Sequence, residues 1–163
     1  MTSDYFKATI FEPKYDTPKD REVLKRTYWK YPPATEPHTH EIDPIEHPRA
    51  AVVLAWKQEE VIILEDIKAE MRKGTQSRWE DLWVGQNQEY ESMVCIPLTK
   101  GVPKSSSREF IGVLTIDTNR EKYFKDNSDY KAFLTNLIQP YRVFLAWLYE
   151  FEKDQNLLLK LLQ

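Results

Sequence analysis

Arg78, Trp79 and Trp83 are the residues of this chain best suited to holding a ligand. Two tryptophans four apart in an otherwise polar stretch can stack on a flat ring, while the neighbouring guanidinium faces an anion. The same indoles serve equally as a lid buried over a sheet, the commoner use of so much apolar area. Cys95 is the one thiol. In period-2 register Met93, Cys95 and Pro97 share one face of a strand, and Val94, Ile96 and Leu98 the other. A buried strand thiol is inert, because reactivity needs exposure and a stabilised thiolate, and thiol redox chemistry needs a second thiol. His38, His40, Glu41, Asp43 and His47 have the residue types that bind zinc, but their spacing is not a recognised site pattern and prolines surround them, so no metal site is expected. There is no glycine-rich phosphate loop, nucleophile elbow or paired carboxylate arrangement, which places an enzyme last among the function classes.

The elements that must position these residues are legible from periodicity. Tyr5 to Glu12 alternates as a half-buried strand ended by Pro13. Asp16, Pro18 and Asp20 supply turn chemistry, and Val23 to Tyr31 reads as a second strand stopped by Pro32 and Pro33. The pair makes a hairpin with a loop of about eight residues. Pro32 to Pro48 reads as an irregular loop, and Arg49 to Glu59 as a short buried helix with Pro48 where its missing N–H costs nothing. Val61 to Leu64 is a brief apolar strand ended by Glu65 and Asp66, and residues 68–89 form a long connection with about one helical turn.

Ser92-Met-Val-Cys-Ile-Pro-Leu98 and Glu109-Phe-Ile-Gly-Val-Leu-Thr-Ile-Asp-Thr-Asn119 are two strand-length apolar runs joined as a long hairpin. Asp129 is expected to cap a final helix. In that helix Leu137, Tyr141, Phe144, Leu148, Phe151, Gln155, Leu158 and Leu162 advance by four and three alternately, the stripe of a coiled-coil-like contact. Leu134, Ile138, Leu145 and Leu159 widen the stripe as if the helix also covers a sheet, and Pro140 removes one backbone bond within it.

Length and composition bound the rest. The 163 residues, 41% apolar and 30% charged, fit one globular domain, and five Trp, nine Tyr and seven Phe argue against disorder. A net charge of −3 offers no basic patch for nucleic acid. With no apolar run of membrane-spanning length and no signal peptide, and with a single cysteine, the chain is expected to be cytoplasmic and without membrane contact of its own. It is also expected to be excised from a longer protein.

The two central runs, with Val61 to Ile67 before them and Phe124 ahead of the closing helix, resemble the GAF domain over roughly residues 60–150. The implied fold class is α+β, with a GAF-like (profilin- or PAS-like) antiparallel central sheet of about five to six strands. Helices pack on one face, a ligand cavity lies under loops on the other, and a long C-terminal helix closes the fold. PAS and other profilin-like folds are the near alternative. The expected organisation is a single domain over 1–163: a first hairpin (5–31), a helix and strand (49–65), a central hairpin (91–119) and the C-terminal helix (129–162).

The resemblance implies a non-enzymatic sensor or regulatory module. It places Asp66 and Tyr90 beside Arg78, Trp79 and Trp83 at a ligand cavity, and makes Leu137, Tyr141, Phe144, Leu148 and Phe151 a homodimer contact. The partner is then an unidentified small molecule, with the cofactor unknown. The family's sulfoxide-reducing enzymes use several cysteines and its bilin-binding members a loop or helix cysteine, and neither pattern is present. Asn119, Lys122, Phe124 and Asp129 give a partial likeness to cyclic-nucleotide members, at loose spacing. A ligand-free dimerisation domain and a thiol- or metal-dependent enzyme are the alternatives.

Overall fold

A computed structural model of the chain describes residues 5–30, 41–73, 90–100, 109–141, 144 and 151. Six strands form one sheet: β1 (Phe6–Asp16), β2 (Arg21–Lys30), β3 (Glu41–Ile42), β4 (Ile62–Leu64), β5 (Ser92–Lys100) and β6 (Glu109–Thr118). Their order across the sheet is β3-β2-β1-β6-β5-β4, and every neighbouring pair is antiparallel. Two helices, α1 (Ala51–Gln58) and α2 (Ile67–Arg72), lie between β3 and β5 in the chain, and residues 128–141 form a third, α3.

β6 is the hub. It pairs with β1 from Phe6↔Thr118 to Phe11↔Val113 and with β5 from Ser92↔Thr118 to Lys100↔Glu109. Because successive side chains alternate across a sheet, this register sorts every residue to one of two faces. Lys7, Thr9, Phe11, Val113, Thr115, Asp117, Met93, Cys95, Ile62 and Leu64 share the first face. Its apolar members pack with Ala51, Val52, Val53 and Ala55 of α1 and with Ile67 at the start of α2. The second face carries Ile63, Val94 and Ile96, which pack with Phe124 and with Leu134, Tyr130 and Ile138 of α3. The face expected to lie under loops therefore also carries two short helices.

Several sequence expectations shift at their edges. β1 runs through Pro13 to Asp16, and the connection to β2 is the four-residue turn Thr17–Asp20, not the longer loop anticipated. Pro13 is tolerated because the β6 ladder ends at Phe11, leaving this stretch of β1 paired on one side only. Pro97 occupies the equivalent situation in β5, beyond the last β4 partner at Cys95. Asp20 closes the turn at φ 52°, in the left-handed region that Asp tolerates better than most residues.

Within the stretch read as irregular, Glu41–Ile42 adds a short edge strand to Leu24 and Lys25. It is fastened by Lys19 to Glu41 (2.7 Å) and by Arg21 to Asp43 (2.5 Å). Asp43 also accepts from the backbone N–H of Ile45 at 2.9 Å, so the two carboxylates of the suspected zinc set serve as clasps. His38 and His40 lie outside the described residues.

α3 is capped by Asn127, not by Asp129: the Asn127 side-chain oxygen accepts from the Tyr130 N–H at 2.8 Å. Asp129 instead sits in the first turn, where a carboxylate favours the helix dipole. Pro140 is accommodated, since residues 140 and 141 and then 144 remain helical.

Gly112 is where the sheet admits no side chain. A Cβ there would stand 2.5 Å from the Phe11 carbonyl oxygen, a backbone atom that cannot step aside. Gly112→Ala is expected to lower stability by about 2–3 kcal/mol despite the usual benefit of replacing glycine in the unfolded chain. A urea denaturation midpoint equal to that of the native protein would refute this close approach.

Candidate functional site

A lysine and an aspartate are buried on the first face, where most positions are apolar. Lys7 is 5% exposed and Asp117 8% exposed, and they are Cα partners across the β1–β6 ladder. Cross-strand partners hold their Cβ atoms about 5 Å apart, so these two charges are obligate neighbours. The Lys7 ammonium donates to the Tyr90 hydroxyl at 3.0 Å. It also lies 4.4 Å from the centre of the Tyr90 ring and 5.1 Å from that of Tyr5, positions in which an aromatic face stabilises a cation. Thr9 and Thr115 continue the polar face, with the Thr115 hydroxyl donating to the Thr9 carbonyl at 3.4 Å.

The backbone around this cluster is firmly tied. The Glu91 N–H donates to the Thr118 carbonyl at 2.8 Å, and the Ile67 N–H to the Glu91 carbonyl at 2.9 Å, so Tyr90 is fixed between α2 and the end of β6. Tyr5 is held by its N–H to the Asn119 side chain (3.1 Å), while its carbonyl accepts from the Thr118 hydroxyl (2.8 Å). The residues around the lysine and aspartate are therefore preorganised.

Asp117 is the strained member. Burial pushes its pKa up to about 7 even though the Lys7 ammonium pulls the other way. Cys95 lies one strand over, opposite Thr115 on the same face, and is fully buried. Burial, with the Asp117 charge adding to it, raises the thiol well above its ordinary value, the reverse of what a reactive cysteine requires.

Of the expected ligand residues, Tyr90 joins the cluster. Asp66 is the N-cap of α2, accepting from the Ala69 N–H at 2.7 Å. Arg78, Trp79 and Trp83 lie outside the described residues, as does Leu148 of the expected dimer contact. Leu137, Tyr141, Phe144 and Phe151 are each more than half exposed, and so is Phe133.

The residues that gave the cyclic-nucleotide likeness have structural duties: Asn119 holds Tyr5, and Phe124 is in the core beneath α3. The Lys122 N–H donates to the Glu65 carbonyl at 2.8 Å. Sequence reading missed Lys7 and Asp117 as a pair. The available signal was parity, since each occupies an inward position of an otherwise apolar or neutral alternation.

The sheet order, with α1 and α2 on one face and α3 on the other, is a GAF-like α+β fold. The chain is similar to the GAF domain region of a putative membrane protein from Geobacter sulfurreducens PCA, at 14% identity and a TM-score of 0.55, over 89% of this chain and 81% of that one. It is similar also to the GAF domain of the Acinetobacter phosphoenolpyruvate-protein phosphotransferase, at 16% identity and 0.54, over 90% and 74%. A third likeness is to free methionine-R-sulfoxide reductase from Neisseria meningitidis in complex with its substrate, at 17% identity and 0.51, over 85% and 67%. At such identities the likeness establishes the fold and leaves function to the residues. No family model and no curated protein matches the chain.

The Asp117 environment has a direct consequence for stability. An unfolded aspartate titrates near 3.9, so from about pH 4 to pH 7 the folded chain keeps a proton that the unfolded chain has released. The stability tied to this proton is present at low pH and is lost as pH rises through that window. Asp117→Asn, which has the shape of the protonated acid, should match the native protein near pH 3, below this window. At pH 8.5 it should exceed it, by on the order of 2 kcal/mol or more. Denaturation midpoints at the two pH values that move in parallel for both proteins would overturn this picture of Asp117.

Proposed function

We propose that this chain is a non-enzymatic, small-molecule-binding sensor or regulatory module of GAF type, cytoplasmic, that passes occupancy to a second copy of itself through α3. The observation that carries the reading is the buried Lys7–Asp117 pair with Tyr90 and Tyr5 on the α1–α2 face. Convergent polar groups on an otherwise apolar, rigid face are the ordinary composition of a ligand site. A carboxylate held at an unfavourable ionisation is the kind of group that concentrates at functional sites. Arg78, Trp79 and Trp83 remain the proposed ligand-stacking residues of the connection that follows α2.

The likeness to a free methionine-R-sulfoxide reductase raises the enzyme reading, which the thiol itself disfavours: Cys95 is the one cysteine, fully buried, with its pKa raised. Transmission is supported by the two-sided character of α3. Leu134 and Ile138 hold it to the sheet, while Phe133, Leu137, Tyr141, Phe144 and Phe151 are exposed at helical spacing. No helix among the described residues is long and apolar enough to cross a membrane.

Two measurements test the reading. A thermal-shift panel of nucleotides, tetrapyrroles and amino-acid derivatives should contain a compound that stabilises the chain, by about 2.7 kcal/mol at a hundredfold excess over its Kd. No stabilisation by any member at saturation removes the sensor. Phe144→Glu combined with Leu148→Glu should convert dimers to monomers in light scattering with little change in unfolding midpoint. A variant that remains dimeric removes the α3 contact.

A further inference from the structure

We propose that Lys7 is the moving part of a proton-driven switch: its ammonium is held by the Tyr90 hydroxyl while Asp117 carries a proton, and is drawn to the Asp117 carboxylate when that proton leaves. The geometry gives one cation two competing acceptors. Lys7 and Asp117 are Cα partners in the β1–β6 ladder, and both are buried. Cross-strand partners stand close enough for the flexible stem of a lysine to swing its head between acceptors without moving the backbone. On the other side, the ammonium donates to the Tyr90 hydroxyl at 3.0 Å and lies 4.4 Å from the centre of that ring.

The charge on Asp117 decides which acceptor wins. An ionised carboxylate attracts the ammonium with full opposite charge in a poorly polarisable surrounding, whereas a carboxylic acid offers a neutral acceptor no better than a phenol. Burial brings the Asp117 titration up to about 7 against the opposing charge of Lys7, so both states are populated near neutral pH. In the step itself the carboxyl O–H bond breaks, the proton goes to solvent, and Lys7 stays an ammonium throughout. The remaining groups packed around Asp117 keep one charge state or are engaged elsewhere. Cys95 faces it from β5, and its raised pKa keeps the thiol protonated, while Met93, the Cα partner on β5, is neutral. α1 turns Ala51, Val52, Val53 and Ala55 to this face, and α2 contributes Ile67. Lys68 of α2 is paired with Glu91, and Asp66 caps the same helix.

The switch reaches beyond the pair through Tyr90. That residue precedes Glu91, whose N–H donates to the Thr118 carbonyl at 2.8 Å and whose carbonyl accepts from the Ile67 N–H at 2.9 Å. Release of the Tyr90 hydroxyl therefore removes a tie between β1 and the junction of α2, β5 and β6. The device needs no ligand and stands independently of the sensor reading.

The test is an NMR titration of the whole chain with isotope-labelled aspartate carboxyls, the Asp117 signal being assigned from its loss in Asp117→Asn. The native signal is expected to titrate at about 7. A hydroxyl that holds Lys7 only while Asp117 is protonated stabilises the protonated form. Tyr90→Phe, which keeps the ring, should therefore raise the acid dissociation constant of Asp117 by about threefold or more. Lys7→Met should lower that constant, since the ammonium favours the ionised form. A Tyr90 bond that is equal in both states leaves the constant unchanged in Tyr90→Phe, and a Tyr90 bond to the Asp117 carboxylate moves it the other way. Either result overturns the switch, as does a native Asp117 signal in the ordinary carboxylate range. If Lys7→Met does not fold, Tyr90→Phe decides alone.

Discussion

The double pairing of β6, between β1 on one side and β5 on the other, is the constraint from which the rest of this structure follows. It joins the beginning of the described chain to its middle, across more than a hundred residues between Phe6 and Thr118. It also fixes which side chains face α1 and α2 and which face α3. A slip of one residue would send Lys7 and Asp117 under α3 and expose Val113 and Cys95 to the wrong layer. The close approach of Gly112 to the Phe11 carbonyl secures this register, because no other residue type fits at that point.

The same ladder creates the energetic tension that gives the molecule its candidate function. Burial on a strand face is favourable for Val113, Met93 and Cys95 and unfavourable for a carboxylate, yet the parity that buries the first group buries Asp117 with them. Lys7 offsets part of this cost, and its own charge is shared with Tyr90 and Tyr5. Natural proteins tolerate local costs of this kind where activity depends on them. The opposite layer has no such tension next to the sheet, where Leu134, Tyr130 and Ile138 pack on Ile63, Val94 and Ile96 as ordinary core. Its unresolved demand lies outward, along the exposed aromatic and leucine stripe of α3.

Much of the architecture could be read from periodicity. The central hairpin, the short buried helix after Pro48, the apolar strand at Val61 to Leu64 and the described part of the closing helix, residues 128–141, stand where alternation and helical spacing put them. Errors clustered where a local signal was outweighed by pairing. Pro13 looked like a strand end, but a proline is harmless on a stretch paired on one side, and only the extent of β6 reveals that it is one. Asp129 looked like a cap because it precedes the apolar run, whereas Asn127, two residues earlier, meets the Tyr130 N–H. Glu41 and Asp43 were expected in an irregular solvated loop, and the turn that brings Lys19 and Arg21 across from them made them clasps.

By itself the sequence determined the kinds of element, the apolar stripe of the last helix and the single thiol, since each depends on residues close together in the chain. It also contained the inward parity of Lys7 and of Asp117, each within its own strand. That the two parities meet was decided only by the tertiary structure, because antiparallel pairing of β1 with β6 is a long-range event that no local pattern encodes. The physical reason is dielectric as much as geometric. A lysine or an aspartate on an isolated strand is an ordinary solvated charge, and only burial on their shared face makes one a buried cation and the other a carboxyl group titrating near 7.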